Sequence, residues 1–284
     1  MRKLSDTFVY NLKTGFLSEI NQRAINDTDL DLQIRDNYLN IYYKGNSLLK
    51  LDEVTPERYR ATIDTKFTNG TSIDDLVDLE TTQVFLDRVP FIKENILKHG
   101  KSSLEVEYEQ MIIRANNYEP RNNSEFYIID RQITAGKAGR FDLTGFYWNR
   151  AKRRKGQEVP FCLMEVKFAL NADIQHVHEQ IERYYLAIQN RAGEMAEEAE
   201  GILRQKIELG HFNQPANRLA AMKTLSISRD INQFQFILVL IDYNPHSSLL
   251  NLDKLKGLPF ANQLKIFNTG FAMWELNLDP IRNF

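Results

Sequence analysis

From Arg140 to Phe168 the chain reads RFDLTGFYWNRAKRRKGQEVPFCLMEVKF, two apolar-rich runs joined by a polar, basic connection. Runs rich in Phe, Leu, Val and Tyr on either side of a turn-like segment predict two strands, Arg140 to Trp148 and Phe161 to Phe168. Side chains two apart in a strand share a face, so Glu165 and Lys167 emerge together while Val166 turns to the other side. If the strands pair as a hairpin, Asp142 can stand beside them. Glu165 and Lys167 interrupt an otherwise apolar strand, and buried charges are expensive unless paired or bound to metal. Two carboxylates and an ammonium at close quarters suit a hard divalent cation between the acids, with the lysine on an anionic or nucleophilic oxygen. A plain cross-strand ion pair on a solvated face, contributing roughly 0–1 kcal/mol, is the competing reading of the same pattern.

Working outward, Glu125 to Asp130 is a further strand candidate. Ahead of it, Ser103 to Asn116 places Leu104, Tyr108, Met111, Ile112 and Ala115 on one helical stripe. Helices are expected from about Asp173 to Leu225, with a break around Gly210 to Pro215. The run Phe236 to Ile241 is apolar throughout, as in a strand covered on both faces of an α/β sheet. A last strand is expected near Leu264 to Leu276. In the N-terminal third, Asp29 to Asp64 alternates apolar and polar residues, broken at Arg35-Asp36-Asn37 and Lys44-Gly45-Asn46, which predicts an antiparallel meander. Ser72 to His99 then has helical spacing and ends on cations and Gly100. The expected division is a β-rich segment over residues 1–100, for recognition, dimerisation or capping, and an α/β core over residues 101–284.

Composition narrows the class. The 284 residues are 43% hydrophobic and 26% charged, which excludes a disordered or low-complexity chain. The 36 basic and 38 acidic residues nearly cancel, so a polyanion must be held by a local patch and not by overall charge. The single cysteine, Cys162, excludes an internal disulfide, and no long uncharged apolar run marks a signal peptide or membrane helix. A cytoplasmic protein with reduced thiols and no membrane partner is expected. Cys162 reads as a small core residue, and Gly193 to Glu200 as an acidic, solvated helix face. His176 and His178 lie two apart without a cysteine pair, a poor spacing for zinc. No P-loop or nucleophile-elbow pattern is found.

Asp142 at the head of one strand, Glu165-x-Lys167 in the next, and Gln180-Ile181-Glu182-Arg183-Tyr184 in the helix after it together resemble the PD-(D/E)XK nuclease superfamily. This is the restriction-endonuclease-like fold, a mixed sheet flanked by helices. The Gln-x-x-x-Tyr element is similar to the helix motif of the RecB-like branch, and Glu109-Gln110-Met111-Ile112-Ile113 to the first core helix. Phe141 stands where the family's name has proline. The resemblance covers about Leu104 to Ile188, with Phe236 to Ile241 as a further sheet strand. It implies Mg2+, with Mn2+ as a substitute, and phosphodiester hydrolysis, with DNA as the expected partner and an endonuclease as the expected activity. It assigns Asp142, Glu165, the carbonyl of Val166 and Glu109 as metal ligands. Lys167 would orient or deprotonate the attacking water, provided metal and burial lower its pKa, and Gln180 would steady the nucleophile or a phosphate oxygen. Tyr184 would contact the substrate backbone or merely pack. Glu105, Glu107 and Glu109 all remain open for the helix position, Glu105 and Glu109 sharing one side.

Substrate contacts are expected from Lys137 and Arg140, in the turn before Asp142, and from the Lys152-Arg153-Arg154-Lys155 loop, which otherwise is a solvated hairpin tip. The competing function is a catalytically silent nucleic-acid or protein binding module on the same fold. A homodimer is one arrangement open to the chain.

Overall fold

The computed structural model describes residues 2–101, 104–168 and 171–274, which form a mixed α/β structure with two main sheets. Two helices that the sequence reading did not foresee come first, α1 (Asp6–Lys13) and α2 (Ser18–Asn26). The Ser5 side chain caps α1 by accepting the Phe8 N–H at 3.0 Å. The expected meander follows as β1 (Leu30–Ile34), β2 (Tyr38–Tyr43), β3 (Asn46–Thr55) and β4 (Arg58–Thr62), antiparallel in chain order. Lys44 and Gly45, both at positive φ, make the tight turn between β2 and β3. α3 (Leu79–His99) starts later than Ser72, because Asp78 and Thr81 form a capping box there and Leu76 bridges to Tyr59. The N-terminal segment is therefore a meander flanked by helices on both sides.

Next come α4 (Leu104–Ile113), β5 (Phe126–Thr134), β6 (Arg140–Tyr147), the short β7 (Glu158–Val159) and β8 (Phe161–Phe168). They are followed by α5 (Val177–Ile188), α6 (Ala192–Glu208), α7 (Ala216–Met222), the short β9 (Ser226–Ile227), β10 (Gln235–Ile241), α8 (Leu252–Lys256) and β11 (Leu264–Thr269). The main sheet has the order β11-β10-β8-β6-β5. β5, β6 and β8 are antiparallel neighbours, whereas β10 runs parallel to both β8 and β11. β8 and β10 point the same way because the helices α5 to α7 form the crossover between them. The expected helix start at Ser103 and the expected strand end at Leu276 fall outside the described residues. No helix among the described residues is long and apolar enough to cross a membrane.

One hydrophobic cluster joins Leu4, Phe8 and the meander to Tyr127, Phe141 and Phe161 and to α5 and α6. A smaller one, on the opposite face of the sheet, gathers Cys162, Met164, Val166 and Val239 against Tyr108, Ile112 and Ile113 of the α4 region. The stripe expected on α4 is only partly the buried one. Leu104 and Met111 are 57% and 47% exposed, and it is Glu109 that is buried. Past Ile113 the helix widens into a π turn, Arg114–Tyr118, which takes Ala115 off the stripe. Asn117 in that turn is buried and bonds both the N–H and the carbonyl of Ile128, which anchors the turn to β5.

Candidate active site

β6 and β8 pair from Phe146 and Phe161 as far as Leu143 and Met164. One residue further on, Asp142 replaces the ladder with its side chain, Oδ2 accepting the Val166 N–H at 2.8 Å. This bond sets Asp142 beside Glu165 on the neighbouring strand. Glu165 and Lys167 leave β8 on the side of α5, with Lys167 Nζ 2.7 Å from Glu165 Oε1 and side-chain exposures of 14% and 3%. Val166 packs its side chain among the apolar residues of the opposite face, so only its main chain faces the acids. Gln180 on α5 donates to Glu165 Oε1 at 2.5 Å and to the Tyr184 hydroxyl at 2.8 Å. Tyr184 packs edge-on against Phe141 at 4.8 Å. At Gly139 (φ +130) a Cβ would come within 2.8 Å of the Tyr184 ring, so only glycine lets the turn approach so closely.

Gln132 belongs to this cluster, and the sequence reading passed over it. It sits on β5 between the pairs Arg131–Leu143 and Ile133–Phe141, with φ +56, a left-handed conformation rare for a residue with a side chain. That kink aims its amide at two carboxylates, Asp142 Oδ1 at 3.1 Å and Glu109 Oε1 at 3.3 Å. Glu109 also faces Arg131 Nε at 3.3 Å, but out of line for a hydrogen bond, so Glu109 Oε2 and Arg131 Nε are both buried without a partner. Arg131 is shared with Asp31 of the N-terminal sheet, at 2.9 Å. Glu105 approaches the Phe168 N–H at 3.4 Å, while Glu107 turns away to Lys44. Of the three helix acids, Glu109 is therefore the one linked to Asp142.

The electrostatics show an excess of negative charge. Burial, then repulsion from Asp142, pushes the Glu165 carboxyl up to about 7 despite Lys167 and Gln180. Burial pushes Glu109 up to about 8, with Arg131 opposing and Asp142 adding. Burial raises Asp142 as well, against the Val166 N–H, Lys167 and Gln132. Burial works against the Lys167 ammonium, but Glu165, Asp142 and Glu105 outweigh it and hold its pKa above the ordinary lysine value. In the metal-free site Lys167 is thus held as a cation by the same carboxylates that a bound cation would occupy.

A divalent cation fits this donor set. Glu165 Oε2 is buried with no hydrogen-bond partner, and the neighbouring Asp142 carboxylate raises the pKa of Glu165, a repulsion that a hard cation between the two would relieve. No three His, Cys, Asp or Glu side chains among the described residues are grouped around one point for an ion. The fit therefore rests on Asp142, Glu165 and the Val166 main chain, and Glu109, as it stands, is turned to Arg131 and Gln132.

The basic candidates divide by sheet end. The Gly136–Ala138 turn packs on α5, so Lys137 and Arg140, both exposed, lie at the end that carries Asp142. The loop with Lys152, Arg153, Arg154 and Lys155 joins the end of β6 to the start of β8, the opposite end of both strands, so of the two places open to it, near the carboxylates or opposite them, it takes the second. Antiparallel pairing forces this separation, since a hairpin loop and the strand ends that carry Asp142 and Glu165 lie on opposite edges. Cys162 is buried and burial pushes its thiol up, as a core residue. No family model, curated protein or solved structure matches this chain.

Proposed function

We propose that the chain is a magnesium-dependent nuclease, an endonuclease acting on DNA, with a restriction-endonuclease-like core. The observation that carries this reading is the Asp142–Glu165–Lys167 cluster, a half-buried acid beside a buried one with an unpartnered Glu165 oxygen and an ammonium 2.7 Å away. Asp142, Glu165 and the Val166 carbonyl would hold Mg2+, or Mn2+ in its place, which supplies Lewis-acid stabilisation of phosphate charge and activation of water. Attack on phosphorus moves negative charge onto the nonbridging and leaving oxygens, so the protein contributes mainly position and preorganised charge. Lys167, an ammonium held by Glu165, orients the attacking water and offsets charge on the phosphate. Gln180 ties Glu165 to Tyr184 and fixes the carboxylate's rotamer. Gln132 does the same for Asp142 from the other side. Lys137 and Arg140 meet the phosphates beside the scissile one.

The test is cleavage of plasmid and single-stranded DNA with Mg2+ or Mn2+. Asp142→Ala, Glu165→Ala and Lys167→Ala should each abolish it, and a wild type no faster than these three variants would overturn the reading. DNA bound equally well with and without EDTA, and left uncut, would identify a binding module on the same scaffold.

A further inference from the structure

At the end of the main sheet away from the acids, Asn123, Trp148, Arg150, Arg153, Arg154 and Arg218 border an open cleft of about 380 Å³. Four arginines in one cleft repel one another unless something negative lies between them. Arg153 is held in place: its guanidinium lies over Trp148 at 5.2 Å and Tyr127 at 5.7 Å. It donates to Asn123 Oδ1 at 2.7 Å, to the Trp148 carbonyl at 3.3 Å and to the Ser124 carbonyl. Arg218, on α7, donates to the same Asn123 oxygen at 2.8 Å and to Gln214 Oε1 at 2.6 Å. Two guanidiniums thus converge on one neutral amide oxygen, and every acceptor they reach is uncharged.

Among the described residues none of the four arginines takes part in an ion pair. Glu125, an acid whose charge reaches Arg153, spends one oxygen on the Arg150 main-chain N–H. Burial, with Arg218 and Arg150 adding and Tyr127 and Glu125 opposing, holds the Arg153 pKa below the ordinary arginine value. Planar guanidinium forks set around a cleft match the oxygens of a phosphate. Lys152, Arg154 and Lys155 are exposed beside it and extend the positive surface beyond a single group, which favours a polyanion over a free phosphate.

We propose that this arginine cleft grips a backbone phosphate of a DNA duplex. The choice of DNA rests on the nuclease reading; the phosphoryl chemistry of the cleft does not. Tyr147 at the cleft end is five steps along β6 from Asp142, and at ~3.3 Å per residue this is about 17 Å. At ~3.4 Å per base pair the gripped phosphate lies about five base pairs from the bond addressed by Asp142 and Glu165.

The test is binding of a fluorescein-labelled 20-base-pair duplex by anisotropy, in EDTA, over roughly 50–200 mM salt, the range in which phosphate contacts weaken most visibly. The Arg150 and Arg154 side chains are exposed, so Arg150→Gln with Arg154→Gln keeps the fold; Arg218→Gln is the second variant. Each lost contact should flatten the slope of log affinity against log salt by about 0.9. Inorganic pyrophosphate should also perturb the emission of Trp148 in the wild type, and less in the variants. Unchanged slopes in both variants would overturn the inference. So would a response to pyrophosphate that depends on the arginines while duplex binding does not, since the cleft would then take a free phosphoryl ligand. Because EDTA prevents hydrolysis, the two readings fail separately. Slope loss in a protein that cuts nothing keeps the cleft and overturns the nuclease, and cutting with unchanged slopes does the reverse.

Discussion

Raising the pH of the metal-free protein from 6.5 to 8 should destabilise it. Glu165 and Glu109 titrate near 7 and 8 in the folded protein against an ordinary glutamate value of 4.5. Between these limits the native state holds protons that the unfolded chain has released, so their stabilisation is complete below pH 4.5 and is lost as pH rises through the folded values. Two other buried groups act in the opposite sense outside this window. Burial drops His211 to about 3, so stability rises with pH only up to its ordinary value of 6.5. Burial drops Lys206 to about 8, so its contribution rises only above that point. The interval from 6.5 to 8 is therefore dominated by the two glutamates. At ~1.4 kcal/mol per pH unit for a fully protonated group, Glu109 and Glu165 together should remove about 2 kcal/mol across it.

Urea unfolding at pH 6.5, 7, 7.5 and 8 in EDTA measures this. Glu109→Gln should remove the larger part of the fall. Millimolar Mn2+ should reduce the fall or reverse it, because the ion takes the ionised carboxylates as ligands and binds only the folded chain. Metal-free stability that stays flat or rises from 6.5 to 8 would refute the reasoning. The carboxylates would then be ionised and already balanced by the protein, and nothing in the cluster would call for a cation.

Asp130 is fully buried between Arg2 and Arg35, each at 2.7 Å; Asp130→Ala leaves those guanidiniums without their carboxylate and should lower the free energy of urea unfolding by about 3–5 kcal/mol. Gln132→Ala should weaken Mn2+ binding, followed by calorimetry, by roughly 10- to 100-fold through loss of the amide that orients Asp142. Its unfolding free energy should stay within about 1 kcal/mol of wild type, and an unaltered affinity would return Gln132 to a packing role.

The strands that carry the acids were readable because a charge inside an apolar run is a local signal. Phe161–Phe168 came out with its ends in place, and Phe236 to Ile241 was readable because a strand covered on both faces has no polar alternation. The failures have a common source in contacts between segments distant in sequence. The α4 stripe was drawn from apolar spacing alone, yet Arg131, across on β5, makes burial of Glu109 sustainable and leaves Leu104 and Met111 outside. Gln132 was invisible because its importance lies in a positive φ, which a glutamine does not announce. The polar triplet Asp130-Arg131-Gln132 is the available clue, but the strand expected over Glu125 to Asp130 stops at its first member, whereas β5 runs on to Thr134. The place of the basic loop, near the carboxylates or opposite them, stays open in the sequence for a purely topological reason, since composition gives charge without saying which sheet end bears it.

The triplet also ties the meander to the main sheet. Asp130 is held by Arg2 and by Arg35 at the end of β1, and Lys206 of α6 meets Gln33 on the same strand at 2.8 Å. Arg131 takes Asp31 of β1 on one side and Glu109 on the other, and lies over the Tyr42 ring at 5.2 Å. Gln132 then carries the connection from Glu109 to Asp142. Three consecutive residues of one strand thus link the N-terminal sheet to the carboxylate that the proposed chemistry needs. Buried charges left without partners are destabilising, so a chain shortened to residue 101 would strand Arg131 and Asp130 together. Glu109 would then be the sole partner of Arg131 and would be drawn further from Asp142. The meander thus acts on the candidate active site from a distance, by setting where the Arg131 charge stands.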